Sequence, residues 1–466
     1  MKHKLIKGIS FTGLFFSLLI GCKKDDKYYI SPNDPTSATV QTLLTALEVS
    51  TMNSYEGDLT RSAGVLIQHG VGVDAQASQT NGYTLSENLF DNQWGQIYQA
   101  INTGYQLLDI SGGDENPRYR GVTKIILAMN WGLLTDLWGD IPFSEAVAGV
   151  KFPKYDSQES VYTGIQTLLS DAITDLESTD DENSIAPGSD DIIFDGDAEL
   201  WTKTAWTLKA RYLNRLSKKA DYKPADILSA LEKGISDKTE DCMSPHGGNG
   251  TDANQWYDYL NQRAYIVASK PLVDSLKLRP EDKRIFYYYD STSSGNAFVG
   301  SPVDVPVSSA STWGEYLIGP INRPKDEIGS PATSAPLVTY FEALFIKAEV
   351  LANEGDVGTA DALNEAIKAS CDKATGGTYD GASIATYTPA NTDVSRVMYE
   401  KWLAMFGQVE AYTDYRKTGY PALTPNPKGF TDGHIIPKRF PTPLAERTGN
   451  TNAPTPKITD AVWFAQ

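Results

Sequence analysis

Apolar and small residues recur at helical spacing through most of this chain. The clearest segment runs from Leu337 to about Ser370 and is interrupted once, by the polar, glycine-containing run 353–356. An apolar face with this period predicts an amphipathic helix, and the break predicts a turn between two such helices. We therefore expect two antiparallel helices that pack through small residues.

Three looser copies of this pattern lie upstream. They pair Val122–Leu137 with Ser160–Leu176, Leu200–Ser217 with Pro224–Ile235, and Val40–Gln68 with Glu87–Leu108. Helix pairs of this length resemble tetratricopeptide repeats, in which each pair buries its apolar face against its neighbours. The pattern predicts an all-α or mostly α fold, with a tetratricopeptide-like scaffold of helix pairs.

The helical pattern breaks between residues 241 and 336, where Gly, Ser, Pro, Asn and aromatic residues dominate. A long stretch without periodicity inside a helical chain is usually functional or disordered. Its many aromatic residues argue against disorder. They are Trp256, Tyr257, Tyr259, Tyr287, Tyr288, Tyr289, Trp313 and Tyr316. We expect an ordered, loop-rich insertion that packs on the helices.

The first residues have the features of a secretory signal peptide. Lysines at positions 2, 4 and 7 precede the apolar stretch Ile9–Ile20, which is shorter than the run of about 20 apolar residues that spans a membrane. The segment 18–22, Leu-Leu-Ile-Gly-Cys, resembles a bacterial lipobox. Cys22 would then carry acyl chains that anchor the protein to a membrane; the alternative is an exported protein with an unmodified Cys22.

These features predict three parts of the chain. They are a signal peptide at residues 1–21, a lipidated and flexible tether at 22–36, and a single domain at 37–466. No later run of apolar residues is long enough to span a membrane. The formal net charge of −18 repels phosphate backbones, which argues against a nucleic-acid partner. Cys242 and Cys371 could form one disulfide or remain two buried thiols.

Five groups of motifs are similar to those of the SusD/RagB family of outer-membrane nutrient-binding lipoproteins. They occur in the order that the family has. The groups are Ser31-Pro-Asn-Asp-Pro-Thr36; Thr135-Asp-Leu-Trp-Gly-Asp-Ile-Pro-Phe-Ser-Glu-Ala146 with Pro153-Lys-Tyr-Asp156; Phe194-Asp-Gly-Asp197 with Trp201 and Leu208-Lys-Ala-Arg-Tyr212; Glu400-Lys-Trp402 with Tyr412-Thr-Asp-Tyr-Arg-Lys-Thr-Gly-Tyr-Pro421; and Ile436-Pro-Lys-Arg-Phe-Pro441 with Glu446.

The resemblance implies a lipid-anchored outer-membrane protein, facing the cell exterior, that delivers a glycan or peptide to a SusC-like TonB-dependent transporter. It implies no cofactor and no resident metal. It also implies a ligand surface built from loops after the early helices and from the mid-chain insertion. In those regions lie polar and aromatic residues that could hold a ligand, namely Gln79, Asn81, Tyr83, Asn254, Trp256, Tyr257, Tyr259, Trp313 and Tyr316.

Two groups of charged residues within the motifs have structural interpretations. The acidic run Asp190, Asp191, Asp195 and Asp197 could bind calcium, but it lacks EF-hand spacing, and Asp197 could instead cap a helix that begins near Glu199. Four arginines are expected to pair with carboxylates between helices. They are Arg211, Arg215, Arg416 and Arg439.

A search for catalytic patterns favours a binding protein over an enzyme. After the signal peptide the chain has His69, His246 and His434, and it lacks the nucleophile elbow, the zinc-protease helix and the phosphate loop. Two carboxylates suffice for glycoside hydrolysis, so an acidic chain leaves that alternative open. The leading hypothesis is nutrient capture for a transporter; the alternatives are a free-standing surface glycan-binding lipoprotein and a surface hydrolase.

Overall fold

The computed structural model describes residues 38–111, 115–179, 182–248, 250–263, 265–291, 297–305 and 331–466. The signal peptide, Cys22 and the tether lie outside the described residues, as do Trp313 and Tyr316. Their predicted roles therefore stay predictions. Within the described residues, no helix is both long enough and apolar enough to cross a membrane.

Helices form most of the described structure, as predicted. They are α1 (Val40–Glu56), α2 (Asp58–Leu66), α3 (Ala75–Asn81), α4 (Asp91–Ile110), α5 (Pro117–Trp138), α6 (Gln158–Leu176), α7 (Ala198–Asn214), α8 (Pro224–Lys233), α9 (Gln255–Gln262), α10 (Lys270–Lys277), α11 (Ile285–Tyr288), α12 (Tyr340–Asn353), α13 (Thr359–Ala374), α14 (Val394–Ala404), α15 (Glu410–Thr418) and α16 (Leu444–Gly449).

Four short strands form two small antiparallel sheets. Strand β1 (Gly70–Gly72) pairs with β3 (Ile266–Ala268), and β2 (Cys242–Ser244) pairs with β4 (Ala335–Val338). The first sheet joins the mid-chain region to the start of the chain, and the second joins the two ends of the mid-chain region. The described part of 241–336 is ordered and consists of short helices, strands and loops.

The predicted helix pairs pack as pairs. Helix α1 lies against α4, α5 against α6, α7 against α8, and α12 against α13. Contacts of α4 with α5, α6 with α7 and α7 with α12 join neighbouring pairs. This arrangement confirms the tetratricopeptide-like scaffold, because each pair buries its apolar face against the next one.

The predicted segment Val40–Gln68 is two helices rather than one. The chain breaks at Gly57, where a Cβ atom would lie only 2.7 Å from the backbone oxygen of Asn53. A larger residue would therefore push the two helices apart. The break changes the direction of the chain between α1 and α2 and sets the position of the first turn of α2.

A network of buried charges joins five helices. Arg211 of α7 binds Glu342 of α12, with 2.6 Å between Nη2 and Oε2. Arg215 of α7 binds Asp136 of α5 at 3.0 Å and also contacts Glu410 of α15.

The same network extends to α14. Lys401 lies 2.7 Å from Asp414, and Lys417 lies 2.5 Å from Glu349. The side chains of these charged residues are almost fully buried. Since burial of a charge is costly unless it is paired, the network strongly favours this arrangement of helices over other ones.

The prediction that four arginines pair with carboxylates is right for two of them. Arg211 and Arg215 do so, but Arg416 donates to the backbone oxygen of Asp136 at 2.6 Å, and Arg439 donates to the backbone oxygen of Trp138. These carbonyls are at the C-terminal end of α5, where helix carbonyl groups lack intrahelical partners. A guanidinium supplies the missing donors there.

The acidic run 190–197 organises its own loop. The carboxylate of Asp191 accepts hydrogen bonds from the backbone of Phe194 and Gly196 and from the indole of Trp201. Asp197 caps α7, as predicted. The described residues contain no cluster of His, Cys, Asp and Glu arranged to hold a metal ion.

The two cysteines of the described chain are free, buried thiols. Burial raises the pKa of Cys371 to about 11, and it raises the pKa of Cys242 further. Both thiols are therefore protonated at neutral pH and unreactive.

Lys417→Met should destabilise the protein by about 3–5 kcal/mol, because it removes one partner of a buried ion pair and leaves Glu349 poorly compensated. The free energy of unfolding in urea measures this loss. The exposed Lys368→Met of α13 is the matched control and should change it little. Adding Glu349→Gln to Lys417→Met should recover part of the lost stability, because it removes the uncompensated charge. No recovery would show that the loss comes from packing and not from charge.

A second prediction concerns Glu48, a fully buried residue of α1 that accepts a hydrogen bond from the backbone of Ile192 at 2.9 Å. Burial, reinforced by the neighbouring Asp191 carboxylate, raises the pKa of Glu48 to about 10. The folded protein thus keeps a proton that the unfolded chain releases above about pH 4.3. The contribution of Glu48 to the free energy of unfolding is therefore greatest below about pH 4.3. It falls by up to about 1.4 kcal/mol per pH unit as the pH rises toward the pKa of the folded state.

Glu48→Gln keeps the shape of the protonated acid and removes this dependence. Relative to the wild type, the variant should gain stability steadily between about pH 5 and about pH 9 in denaturation experiments. The exposed Glu232→Gln of α8 should show no such trend. A stability difference that is the same at every pH would contradict a protonated Glu48.

Candidate ligand-binding cleft

A cleft of about 360 Å³ lies between α2, α3, the start of α4 and α9. Its lining is mostly polar. The residues include Asp58, Arg61, Ser62, Gln76, Gln79, Thr80, Ser86, Asn88, Asn92, Gln93, Tyr259 and Arg263. The volume is within the range of about 300–1,000 Å³ that is typical of small-molecule sites.

One side of the cleft is fixed by an ion pair at the start of α2. Arg61 Nη2 lies 2.7 Å from Asp58 Oδ1, and Gln93 Nε2 of α4 donates to Asp58 Oδ2 at 2.8 Å. These contacts join α2 to α4. Because the break at Gly57 sets the position of Asp58, it also sets the position of this pair.

Tyr259 of α9 adds an aromatic ring to the cleft beside this ion pair. The Arg61 guanidinium lies 4.4 Å from the ring centre of Tyr259 and 5.8 Å from that of Trp256. Partial burial raises the pKa of Tyr259 to about 12, so its hydroxyl stays protonated and can donate a hydrogen bond. The Tyr259 ring, only partly buried, offers an aromatic surface in the cleft.

Exposed amide side chains supply most of the polar surface of the cleft. Gln76 and Gln79 come from α3, Asn88 from the turn before α4, and Asn92 from α4. Among the described residues, none of these four side chains has a hydrogen-bonding partner. Each amide therefore offers both a donor and an acceptor to a ligand.

Of the residues predicted from sequence, Gln79 and Tyr259 meet in this cleft although they lie far apart in the chain. Asn81 and Tyr83 are buried next to it. The Asn81 amide donates to the backbone oxygen of Val303 at 2.9 Å, and the Tyr83 hydroxyl accepts from the backbone of Asn426 at 2.9 Å. These two side chains hold α3 against other segments.

The three predicted residues at the start of α9 also have defined positions. Asn254 is fully buried and caps the helix by accepting from the backbone of Trp256 and Tyr257. Trp256 is buried and lines a separate, largely apolar cavity of about 70 Å³. Tyr257 is partly buried and lies outside the residues that line the cleft.

Sequence reasoning missed Asp58, Arg61, Asn88, Asn92 and Arg263. Their helices were interpreted only as scaffold, and polar residues on a helix usually form a solvated face. One signal was present. Amide residues are unusually dense between positions 76 and 99, where the chain has Gln76, Gln79, Asn81, Asn88, Asn92, Gln93, Gln96 and Gln99.

The three described histidines have structural contacts away from the cleft. His69 Nε2 lies 2.9 Å from the backbone oxygen of Trp402, and burial lowers its pKa to about 3. His246 Nε2 lies 2.8 Å from Glu56 Oε2, and His434 Nδ1 lies 2.7 Å from the backbone oxygen of Gly429. Asp58 is the single carboxylate among the described residues that line the cleft, and it is paired with Arg61.

Comparison with solved structures identifies the fold. A SusD/RagB family protein from Bacteroides thetaiotaomicron is 24% identical, with a TM-score of 0.77 over 92% of this chain and 99% of that chain. A chitin-binding SusD homologue from Flavobacterium johnsoniae is 20% identical, with a TM-score of 0.76 over 91% and 98%. A SusD homologue from Bacteroides uniformis is 20% identical, with a TM-score of 0.76 over 92% and 99%.

Among curated proteins, no sequence matches this chain. The SusD-like family model described as "starch-binding associating with outer membrane" matches residues 32–443. That match covers most of the sequence and agrees with the helix-pair scaffold and with the motifs that the sequence carries. The chain therefore belongs to the SusD-like family, the SusD/RagB nutrient-binding proteins of the outer membrane.

Proposed function

We propose that this protein is a lipid-anchored receptor on the cell surface that captures an oligosaccharide in the α2–α4–α9 cleft and delivers it to a TonB-dependent transporter. The observation that carries the proposal is the set of exposed, unpartnered amides that line the same cleft as the partly exposed Tyr259 ring. Sugars present hydroxyl groups around an apolar ring face. Amides pair with the hydroxyls, and an aromatic surface packs on the ring face.

We favour a neutral sugar because the described lining carries little charge. Asp58 and Arg61 neutralise each other, and beyond this pair the described lining has one charged residue, Arg263, at the exposed edge. The names of similar proteins include starch binding and chitin binding, and both of these polymers lack anionic groups. An oligopeptide is the other ligand class that we considered, and it is an outcome of the binding experiment below.

The lining of the cleft supports binding without catalysis. Glycoside hydrolases place two carboxylates about 5–10 Å apart around the scissile bond. The described part of the lining has one, Asp58, and its hydrogen bonds to Arg61 and Gln93 occupy both oxygens.

The sequence and the family support the proposed lipid anchor and transporter partner. Cys22 follows an apolar stretch in a lipobox-like context, and two or three acyl chains give stable membrane attachment. A tethered receptor stays close to the transporter, so its effective concentration there is high. These features would let a weakly bound sugar pass from the cleft into the barrel.

Tyr259→Ala should lower the affinity for the cognate oligosaccharide about tenfold, because the sugar loses its packing surface. Gln79→Ala should lower it about fivefold through a lost hydrogen bond. Titration calorimetry against starch, cellulose and chitin fragments, uronic-acid oligosaccharides and peptides measures both effects. Tyr259→Phe keeps the ring and should bind nearly as the wild type does.

The exposed Val357→Ser in the α12–α13 turn is a control far from these residues in the chain and should leave binding unchanged. Unchanged sugar binding in Tyr259→Ala and Gln79→Ala would exclude this cleft. Binding of peptides alone would exclude the oligosaccharide assignment.

The tagged full-length protein, extracted from its own host in a mild detergent, should co-purify with a large TonB-dependent barrel protein. Its Cys22→Ser variant should be lost from the outer-membrane fraction, because it lacks the acyl chains that anchor the protein there. Mass spectrometry identifies the partner. Recovery of the lipoprotein alone, under conditions that preserve other barrel complexes, would favour a free-standing glycan-binding protein.

A further inference from the structure

A second groove, of about 480 Å³, continues from the cleft along helices α1 and α4. The two spaces share Asp58, Arg61, Asn92 and Gln93 in their linings, so the Asp58–Arg61 pair lies where they join. The second groove extends beyond the binding site proposed above. It adds residues of α1 and of the next turns of α4.

The new residues form a regular polar stripe. Asn92, Gln96 and Gln99 follow one another at i, i+4 and i+7 on α4, which places them on one face of the helix. All three are exposed. From Asn92 to Gln99 the stripe extends about 10 Å along the helix axis.

The Gln96 and Gln99 amides are not used to hold the fold together. Neither side chain has a partner within the part of the chain that the structure describes. The core-facing side of the same helix buries Trp94, Ile97 and Ile101, so packing fixes the direction of the polar stripe.

Across the groove, α1 contributes Ser50, Asn53 and Ser54. The Asn53 amide oxygen accepts from Gln255 at the start of α9. The break at Gly57 keeps this place open, since a Cβ there would also lie 3.3 Å from Gln255 Oε1. The described lining of the groove therefore consists mainly of amide and hydroxyl groups, and its charged residues are Asp58 and Arg61.

We infer that the cleft and the groove form one extended site for a linear, neutral polysaccharide, with further sugar units held by the amide stripe of α4. This inference rests on the proposed function and specifies its substrate class. A repeating row of free amides matches the repeating hydroxyls of such a chain, whereas a monosaccharide or disaccharide would leave the row unused. A charged polymer would find no counter-charge along it.

The test compares chain lengths with full-length protein in detergent. Maltose, cellobiose and chitobiose series, from the disaccharide to longer oligomers, are titrated into the wild type and into Gln96→Ala/Gln99→Ala. In the best-bound series, wild-type affinity should rise with length. The double variant should lose about tenfold for long oligomers, as expected for two hydrogen bonds, and nothing for the disaccharide.

Both substitutions are at exposed helical positions, where alanine favours the helix, so the variant should fold. Asn102→Ala, at an exposed amide of α4 that does not line the groove, is the matched control. Affinity that does not depend on length, together with a loss in Tyr259→Ala, would overturn the extended site and leave the proposed cleft intact. Failure of the wild type to bind any of the series would overturn both.

Discussion

The arrangement of this scaffold depends on the buried charge network that Arg211 and Arg215 organise. These two arginines lie on α7 and bind carboxylates of α5, α12 and α15, so a single helix connects the early and late parts of the chain. Apolar contacts tolerate small shifts between helices, but a buried guanidinium needs carboxylate oxygens at defined positions. The helix pairs bury most of the apolar surface, and the ion pairs favour one register among the ways of stacking them.

Two elements of different origin line the proposed ligand site. One is the outer face of α4, whose inner face is packed in the core, so its amides are held in place by buried contacts. The other is α9, a short helix that depends on its Asn254 cap and on contacts from the mid-chain region. Substitutions in the second element can change what is bound at little cost to the scaffold, as is common for sites carried by loops.

The sequence predicted the helix pairs well because an apolar stripe reports directly on burial. Roles that depend on tertiary contacts were harder to predict. Asn254 and Tyr83 have polar groups suited to a ligand, but a helix start and the backbone of Asn426 engage those groups. Arg416 looked like a partner for a carboxylate, but helix α5 ends beside it and leaves carbonyl groups to be satisfied. The sequence indicated Gln79 and Tyr259 as candidates one by one. It could not show that they line the same cleft, because only the fold brings α3 and α9 together.

The contacts around α3 tie the proposed ligand site to the end of the chain. Gln68, just before β1, donates to the backbone oxygen of Thr424, and the backbone of Phe430 donates to Gly82. With the Tyr83–Asn426 bond, these contacts fasten the segment that carries Gln79 to residues near the end of the chain. These contacts join residues that are more than 300 positions apart in the sequence. Contacts between such distant residues form slowly relative to local helix pairs. The early helix pairs can therefore form first, while the proposed binding surface is complete only when the last part of the chain has docked.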